Sequence, residues 1–424
     1  MGIKIGVVGL GSFSDDFVGL FQMHPDVEEV VVADLDEGRV KESMARYGIQ
    51  RGFYSYEELL ENAPDVDSIA IFTQRHLHGP MVIKALELGK HVYSAVPIGC
   101  TIQEIEQIIR LVEKKRLIYM MGETCYYYPC AMYCREQYRK GEFGKFVYGE
   151  TQYYHDICEM YGDFSRSGGD NWQRVAGIPP MFYPTHSISM IFSAIDDYAT
   201  KVSCMGYRDN HPDNIYGEGK NNWDNPFSNE TALFQMAGGS VVRVNEFRRV
   251  GINKPSSYIT CFYGDKASYE CSVTNHTFQK GVASGEEPIR EDVGYLVNTI
   301  EYNEDLKNGT MDMRKDPISV KYIEGHAPIQ DAERARLPKV MRNTRKFCHY
   351  NSHPFLVDDF VRAVMTGKLP PNNVWDSARY MIPGLIAHES ALRGGELLDI
   401  PDFGGAPADW EKLTYEMKPN YEEE

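Results

Sequence analysis

The chain has 424 residues, 42% of them hydrophobic, which is enough for two domains with their own cores and too many for one. Its formal net charge is −17, from 44 Lys and Arg against 61 Asp and Glu, so it offers no basic surface of the kind that nucleic acid or an anionic membrane requires. No apolar stretch approaches bilayer length, no leader pattern precedes the first strand, and nine cysteines without a Cys-x-x-Cys pair suit a reducing compartment, so a cytoplasmic protein is expected.

Ile3-Lys-Ile-Gly-Val-Val8 is an apolar, β-branched run that predicts a strand. It is followed by Gly9-Leu-Gly11-Ser-Phe-Ser14 and a helix from about Asp16 to Met23. Strand, tight turn and helix in this order make a dinucleotide-binding fingerprint. Gly9 permits the turn, Gly11 lets a pyrophosphate approach the backbone, and the helix N-terminus presents amides to it. Ser14 replaces the third glycine and is small enough for close helix–strand packing. Asp34 follows the second apolar run, Val30-Val-Val-Ala33, 23 residues after Gly11. There its carboxylate accepts from ribose hydroxyls and repels a 2′-phosphate. NAD is therefore expected over NADP, with Arg39 the nearby residue that favours NADP.

Ser68-Ile-Ala-Ile-Phe72 reads as a buried strand, Pro80 to Leu88 as a helix and His91-Val-Tyr93 as a strand. Thr101 caps a helix with Ile102, Ile105, Ile108, Ile109 and Val112 on one face, and Leu117-Ile-Tyr-Met-Met121 is the next strand. This alternation predicts an α/β fold, a doubly wound parallel sheet over residues 1–123. Beyond it, Val147 to His155, Lys201 to Gly206, Thr231 to Met236, Val241 to Phe247 and Tyr258 to Tyr263 predict a large, mostly antiparallel, open-faced sheet in a second domain, 124–424. Residues from about 275 to 350 are charged and irregular and read as loops over a site or a subunit contact. Helices from about Pro354 to Thr366 and Val374 to Arg393 are expected to pack back on the first domain. Cys125, Cys130 and Cys134 read as packing, and no metal is expected. An open sheet face rich in aromatics predicts a homo-dimer or homo-tetramer.

Gly9-Leu-Gly11, Asp34-Leu-Asp36, Thr73 to His78, Gly89-Lys-His-Val92 leading to Pro97, Lys140-Gly-Glu-Phe-Gly144, Ser352-His-Pro-Phe355 and Ala387-His-Glu-Ser390 together resemble the Gfo/Idh/MocA family over most of the chain. Members of that family join an N-terminal Rossmann domain to an open-faced C-terminal α/β sheet. The resemblance implies cofactor contacts from Gly9, Gly11, Ser12, Phe13, Asp34, Arg39, Thr73, His78, Pro97 and Glu123. Two family features are altered here. The lysine of the Lys-Pro dipeptide is Val96, and the Asp-x-x-x-His motif becomes Phe182-Tyr-Pro-Thr-His186.

Val96-Pro97, Gly122-Glu123, Tyr153-Tyr-His-Asp156 and Tyr183-Pro-Thr-His186 are similar to glycoside hydrolase family 109 and related NAD-dependent glycosidases. That branch implies a tightly retained NAD. Hydride leaves C3 of the sugar, the ketone acidifies the C2 proton, the aglycone is eliminated from C1, water adds, and the hydride returns. The resemblance gives His186 the O3 proton, Tyr153 the role of C2 base, Glu123 a place beside the cofactor and Tyr183 a substrate contact. Strand alternation puts His155 on the same face as Tyr153 and turns Tyr154 away, so His155 is a further catalytic candidate. Trp172 is read as stacking on a sugar or anchoring a loop. Arg166 and Arg174 are read as meeting an anionic substituent or solvent. Ser256 stands where the branch carries a second tyrosine, and Ala95 where it often carries glutamate. Three readings follow: a glycosidase or keto-sugar eliminase, a net NAD-dependent sugar or glycoside dehydrogenase, and a non-catalytic sensor of dinucleotide and sugar. Each takes a small-molecule sugar or glycoside.

Overall fold

The computed structural model describes residues 2–251, 255–281, 287, 289–311, 322, 324–342 and 347–414. Six strands form the first sheet: β1 (Ile3–Val8), β2 (Val27–Ala33), β3 (Gly52–Phe53), β4 (Ser68–Ile71), β5 (His91–Ser94) and β6 (Tyr119–Met121). Their order is β3-β2-β1-β4-β5-β6 and every pairing is parallel. A parallel sheet is covered on both faces, which is why these strands read as unbroken apolar runs. The helix Ile102–Lys115 begins with a capping box, in which Thr101 Oγ1 accepts from the Glu104 amide at 3.2 Å and the Glu104 carboxylate accepts from the Thr101 amide. Its buried face is Ile105, Ile108, Ile109 and Val112, the stripe that its periodicity predicts.

The second sheet has nine strands: β7 (Phe146–Tyr154), β8 (Ala199–Arg208), β9 (Phe227–Met236), β10 (Val241–Phe247), β11 (Ser256–Gly264), β12 (Ala267–Ser272), β13 (Asn275–Lys280), β14 (Ile289–Asp292) and β15 (Leu398–Asp399). Their order is β14-β13-β12-β11-β7-β10-β9-β8-β15. Only the β7–β10 pair at its centre is parallel, with Glu246 opposite Tyr153 and Phe247 opposite Tyr154. The helix Thr185–Ile195 packs on β7, β10 and β11 and covers one face. Met205, Tyr207 and Leu233 are exposed on this sheet.

The reading of 275–350 as loops is corrected. Ile289–Asp292 is an edge strand and Asn275–Lys280 the strand beside it, and Gly294–Val297, Ile300–Lys307, Asp331–Arg336 and Lys339–Arg342 are short helices. The last strand is exposed at all four positions, so no apolar alternation marks it. Residues 282–286, 288, 312–321, 323 and 343–346 of that stretch lie outside the described residues. The helix His353–Thr366 packs against the helix Ser14–Met23 and β1, while Val374–Leu392 packs against the helix Ile102–Lys115, β6 and β8. Among the described residues, no helix is long and apolar enough to cross a membrane.

Candidate functional site

The turn after β1 is built for a close approach. Gly9 has φ +89°, and a Cβ there would press on the Phe72 backbone at 2.8 Å. A Cβ on Gly11, by contrast, would meet nothing within 4 Å, so the chain leaves open space beside that peptide. Ser14 Oγ donates to the Gly11 carbonyl at 2.8 Å, which shapes the loop holding Ser12 and Phe13. Asp34 accepts from the Leu10 amide at 2.6 Å and from the Asp36 amide at 2.8 Å, fixing its carboxylate at the end of β2 beside the glycine turn. Arg39 is 3.7 Å from Asp34 and 3.8 Å from Asp36. Open space at Gly11 and a fixed carboxylate at Asp34, beside the N-terminus of the helix Ser14–Met23, fit a dinucleotide.

His78 is buried with Nδ1 2.8 Å from the Pro97 carbonyl and Nε2 3.0 Å from that of Thr73. Both ring nitrogens are thus engaged by the loops after β4 and β5, and burial lowers its pKa. His78 therefore ties Thr73 to Pro97. Val96 is buried among apolar neighbours.

Glu123 follows β6 at the carboxyl edge of the sheet, and His186 opens the helix Thr185–Ile195. Glu123 Oε1 accepts from the Cys125 amide at 2.9 Å and lies 2.7 Å from His186 Nδ1, with both side chains buried. With the carboxylate accepting, Nδ1 carries the proton and Nε2 keeps its lone pair. Glu123 Oε2 is buried without a hydrogen-bond partner among the described residues. Cys125 lies within 4.8 Å of the Glu123 and His186 ligand atoms, yet 2.7 Å between Oε1 and Nδ1 is a hydrogen-bond separation, shorter than two ligands on one ion adopt. Burial pushes the Cys125 thiol well up and Cys130 up to about 11, as packing cysteines require.

Tyr153 and His155 come from the end of β7 and beyond, on one face, while Tyr154 points the other way and stacks on Phe247. The Tyr153 hydroxyl is 2.8 Å from His155 Nδ1. Burial pushes the His155 pKa down to about 3, helped by Arg248, Arg75 and His186, so the ring is neutral at pH 7. Burial raises the Tyr153 pKa far above the usual phenol range, so it stands as a phenol that donates to His155. The Tyr153 ring is 4.9 Å from His186 and 5.9 Å from Tyr183, and Tyr183 is 4.9 Å from His186. Tyr153, His155, Tyr183, His186 and Glu123 are therefore one cluster. Ser257 is the cross-strand neighbour of Tyr153, while Tyr258 pairs with Gln152.

Trp172 packs against Tyr161 at 5.2 Å, beside a small core of Ile157, Met160, Ala176, Ile215 and Tyr216. Arg174 is exposed and donates to Asn222 at 3.1 Å, and Arg166 pairs with Asp163. These residues build a cap, which Gln74 joins by donating to the Ser167 carbonyl at 2.7 Å.

Sequence reasoning gave no role to Arg75, Arg248, Glu246 or Ser187. Arg248 is buried, pairs with Glu246 at 3.0 Å and lies 4.8 Å from the Tyr153 ring. Glu246 also accepts from Ser187, the residue after His186. Arg75 sits 3.9 Å from the Tyr183 ring. A charge pair continuing the apolar row of Val242 and Val244 along one strand face was the available signal for Glu246 and Arg248. Arg75 lies within the Thr73 to His78 stretch, where nothing local distinguishes it from a solvated loop arginine.

Residues 3–123 match the model of the oxidoreductase family with an NAD-binding Rossmann fold. A glycosyl hydrolase family 109 protein of Streptomyces filamentosus is 24% identical over 98% of this chain and 80% of its own length. An alpha-N-acetylgalactosaminidase of Shewanella oneidensis is 27% identical over 219 residues, and the alignment spans about half of each protein, 47% of this chain and 47% of the relative. Among solved structures, a levoglucosan dehydrogenase in complex with NADH and levoglucosan superposes with a TM-score of 0.69 at 15% identity, covering 95% of this chain and all of that one. The scyllo-inositol dehydrogenase of Lactobacillus casei with NAD(H) and scyllo-inositol has a TM-score of 0.65 at 15% identity, covering 94% and 99%. Such likeness shows a shared fold. Residues 3–123 thus match the Gfo/Idh/MocA oxidoreductase family, and over nearly its whole length the chain is similar to a glycosyl hydrolase family 109 protein.

Proposed function

We propose that this protein is an NAD-dependent carbohydrate-active enzyme that cleaves a glycosidic bond by transient oxidation at C3 of the sugar, with NAD retained rather than consumed. The observation that carries this reading is the buried Glu123–His186 pair at the sheet edge, in a chain where Val96 leaves no lysine to take a hydroxyl proton. NAD, when bound, supplies the hydride acceptor and donor. Gly9, Gly11, Ser12, Phe13 and Asp34 would hold it, with Asp34 favouring NAD over NADP, and Thr73, Pro97 and Glu123 would border it.

His186 Nε2 accepts the O3 proton, and Glu123 stabilises the imidazolium that results. A ketone at C3 lowers the barrier to removing the neighbouring C2 proton. The C2 base of this reading is Tyr153 in its tyrosinate form, which burial opposes and the nearby cations Arg248 and Arg75 favour. Tyr183 and the cap border the sugar. The open face of the nine-stranded sheet, with Met205, Tyr207 and Leu233 exposed, belongs to the same proposal as a homo-dimer or homo-tetramer contact.

The test is to incubate the purified protein with aryl glycosides in D2O without added NAD. Aglycone release with deuterium at C2 and no accumulation of NADH supports the reading. NADH that accumulates only when NAD is supplied, with the glycosidic bond intact, replaces it with net dehydrogenation, which the Glu123–His186 pair serves equally well.

A further inference from the structure

We propose that the sugar this site takes carries an oxyanion, bound by Arg75; this deepens the glycosidase reading and rests on it for the identity of the site. The argument is a charge inventory. Arg75 is half-buried, with its guanidinium 3.9 Å from the Tyr183 ring and 5.6 Å from that of Phe164, and it contacts the Met160 sulfur at 3.7 Å. It has no carboxylate partner among the described residues. Carboxylates of the site and of the cap have other partners. Glu123 is paired with His186 and Glu246 with Arg248 and Ser187. Asp156 accepts from the Cys158 and Val250 amides, Asp163 pairs with Arg166, and Asp213 with Arg249.

His155 and His78 beside Arg75 are held neutral, first by burial and then by the arginines, Arg248 and Arg75 for His155 and Arg75 for His78. Arg75 therefore brings to the site a cation whose partners are the Tyr183 hydroxyl, the Met160 sulfur and an aromatic wall that also borders His186, none of them a carboxylate. Arg248 reinforces it from the other side, 5.9 Å from the Tyr183 ring. A guanidinium offers a fork of donors that matches a carboxylate or a sulfate, and a low-dielectric setting makes an unpaired cation costly until such a partner arrives. Uronic acids and sulfated hexoses share this chemistry.

The test uses NAD-loaded protein and paired ligands: neutral hexoses, uronic acids and 6-O-sulfated hexoses, as free sugars in calorimetry and as 4-nitrophenyl glycosides in turnover. The expected result is that an anionic member binds at least about 30-fold more tightly than its neutral counterpart, a difference that shrinks with added salt. Arg75→Met, which keeps the packing on Phe164 and Met160, reduces that preference to about threefold or less, and Arg75→Lys keeps part of it. The uronate and sulfate arms identify which oxyanion is preferred. Equal binding of neutral and anionic sugars overturns the proposal. So does an anion preference that survives Arg75→Met, or an equal loss of NAD affinity in that variant, which would assign Arg75 to the cofactor. Arg75-dependent binding of an anionic sugar without cleavage of any glycoside sustains the proposal and removes the glycosidase reading. Cleavage of neutral and anionic glycosides with equal kcat/KM does the reverse.

Discussion

Glu123 and His186, 63 positions apart in the chain, are joined by a 2.7 Å contact in a buried pocket where the two sheets meet. The acid comes from the end of β6 and the histidine from the first turn of a helix laid across β7. His186→Phe is expected to lower turnover by at least about 1,000-fold while NAD stays bound, and Glu123→Gln by about 100-fold through loss of the tautomer lock. Turnover with cofactor content measured by absorbance checks both, and near-normal activity in His186→Phe would end the assignment.

Tyr153→Phe removes the hydroxyl that donates to His155 and leaves the ring against His186 and Tyr183. Deuterium incorporation at C2 should fall by about 100-fold or more, whereas reduction of bound NAD by substrate persists, because C3 oxidation uses His186. Mass spectrometry of recovered sugar and absorbance at 340 nm separate the two steps. Simultaneous loss of both signals would place Tyr153 in binding.

Asp34→Ala deletes the acceptor for two amides and, with it, the proposed ribose partner. NAD affinity is expected to fall about 10- to 100-fold, read by calorimetry on protein stripped of nucleotide, since hydrogen bonds to a charged group are among the stronger kind. Retention equal to the parent would show that the ribose contact lies elsewhere.

Arg248 and Glu246 form a buried pair beneath Tyr153. Burial raises the Glu246 pKa to about 8 even with Arg248 beside it, so in Arg248→Met the acid takes up a proton and loss of the pair should cost about 1–3 kcal/mol of stability. Glu246→Gln in the same chain should recover a large part of it, and denaturant titration of the four proteins gives the coupling.

Burial holds the His155 pKa down to about 3, below its value in an unfolded chain, so the native protein binds fewer protons than the unfolded one between those two values. The stability this group contributes is complete above the unfolded pKa and lost as pH falls through that window. Between pH 7 and pH 4 the loss attributable to His155 is up to about 3 kcal/mol. His155→Gln should flatten the acid limb of a Tm-against-pH curve, and an unchanged limb would show that the ring is readily protonated in the folded state.

The dinucleotide half was legible in the sequence, because its signals are local. A β-branched run before Gly9-Leu-Gly11, an acidic residue after the second strand and a capping box at Thr101 each act within a few residues, and the parallel sheet forms from them directly. Alternation along Val147 to His155 likewise put Tyr153 and His155 on one face. The partners of those residues were decided only by tertiary structure. Nothing in the spacing of Glu123 and His186 says that they touch, and the Tyr153 phenol is held protonated by burial that no local pattern encodes. The strands at 275–280 and 289–292 were hidden because their pairing, rather than an apolar face, defines them. Arg75 shows the distinction most clearly. Its sequence neighbours describe a solvated loop, and only the fold places it beside Tyr183 while giving Glu123, Glu246 and Asp163 other partners, because charge balance is a property of packed space.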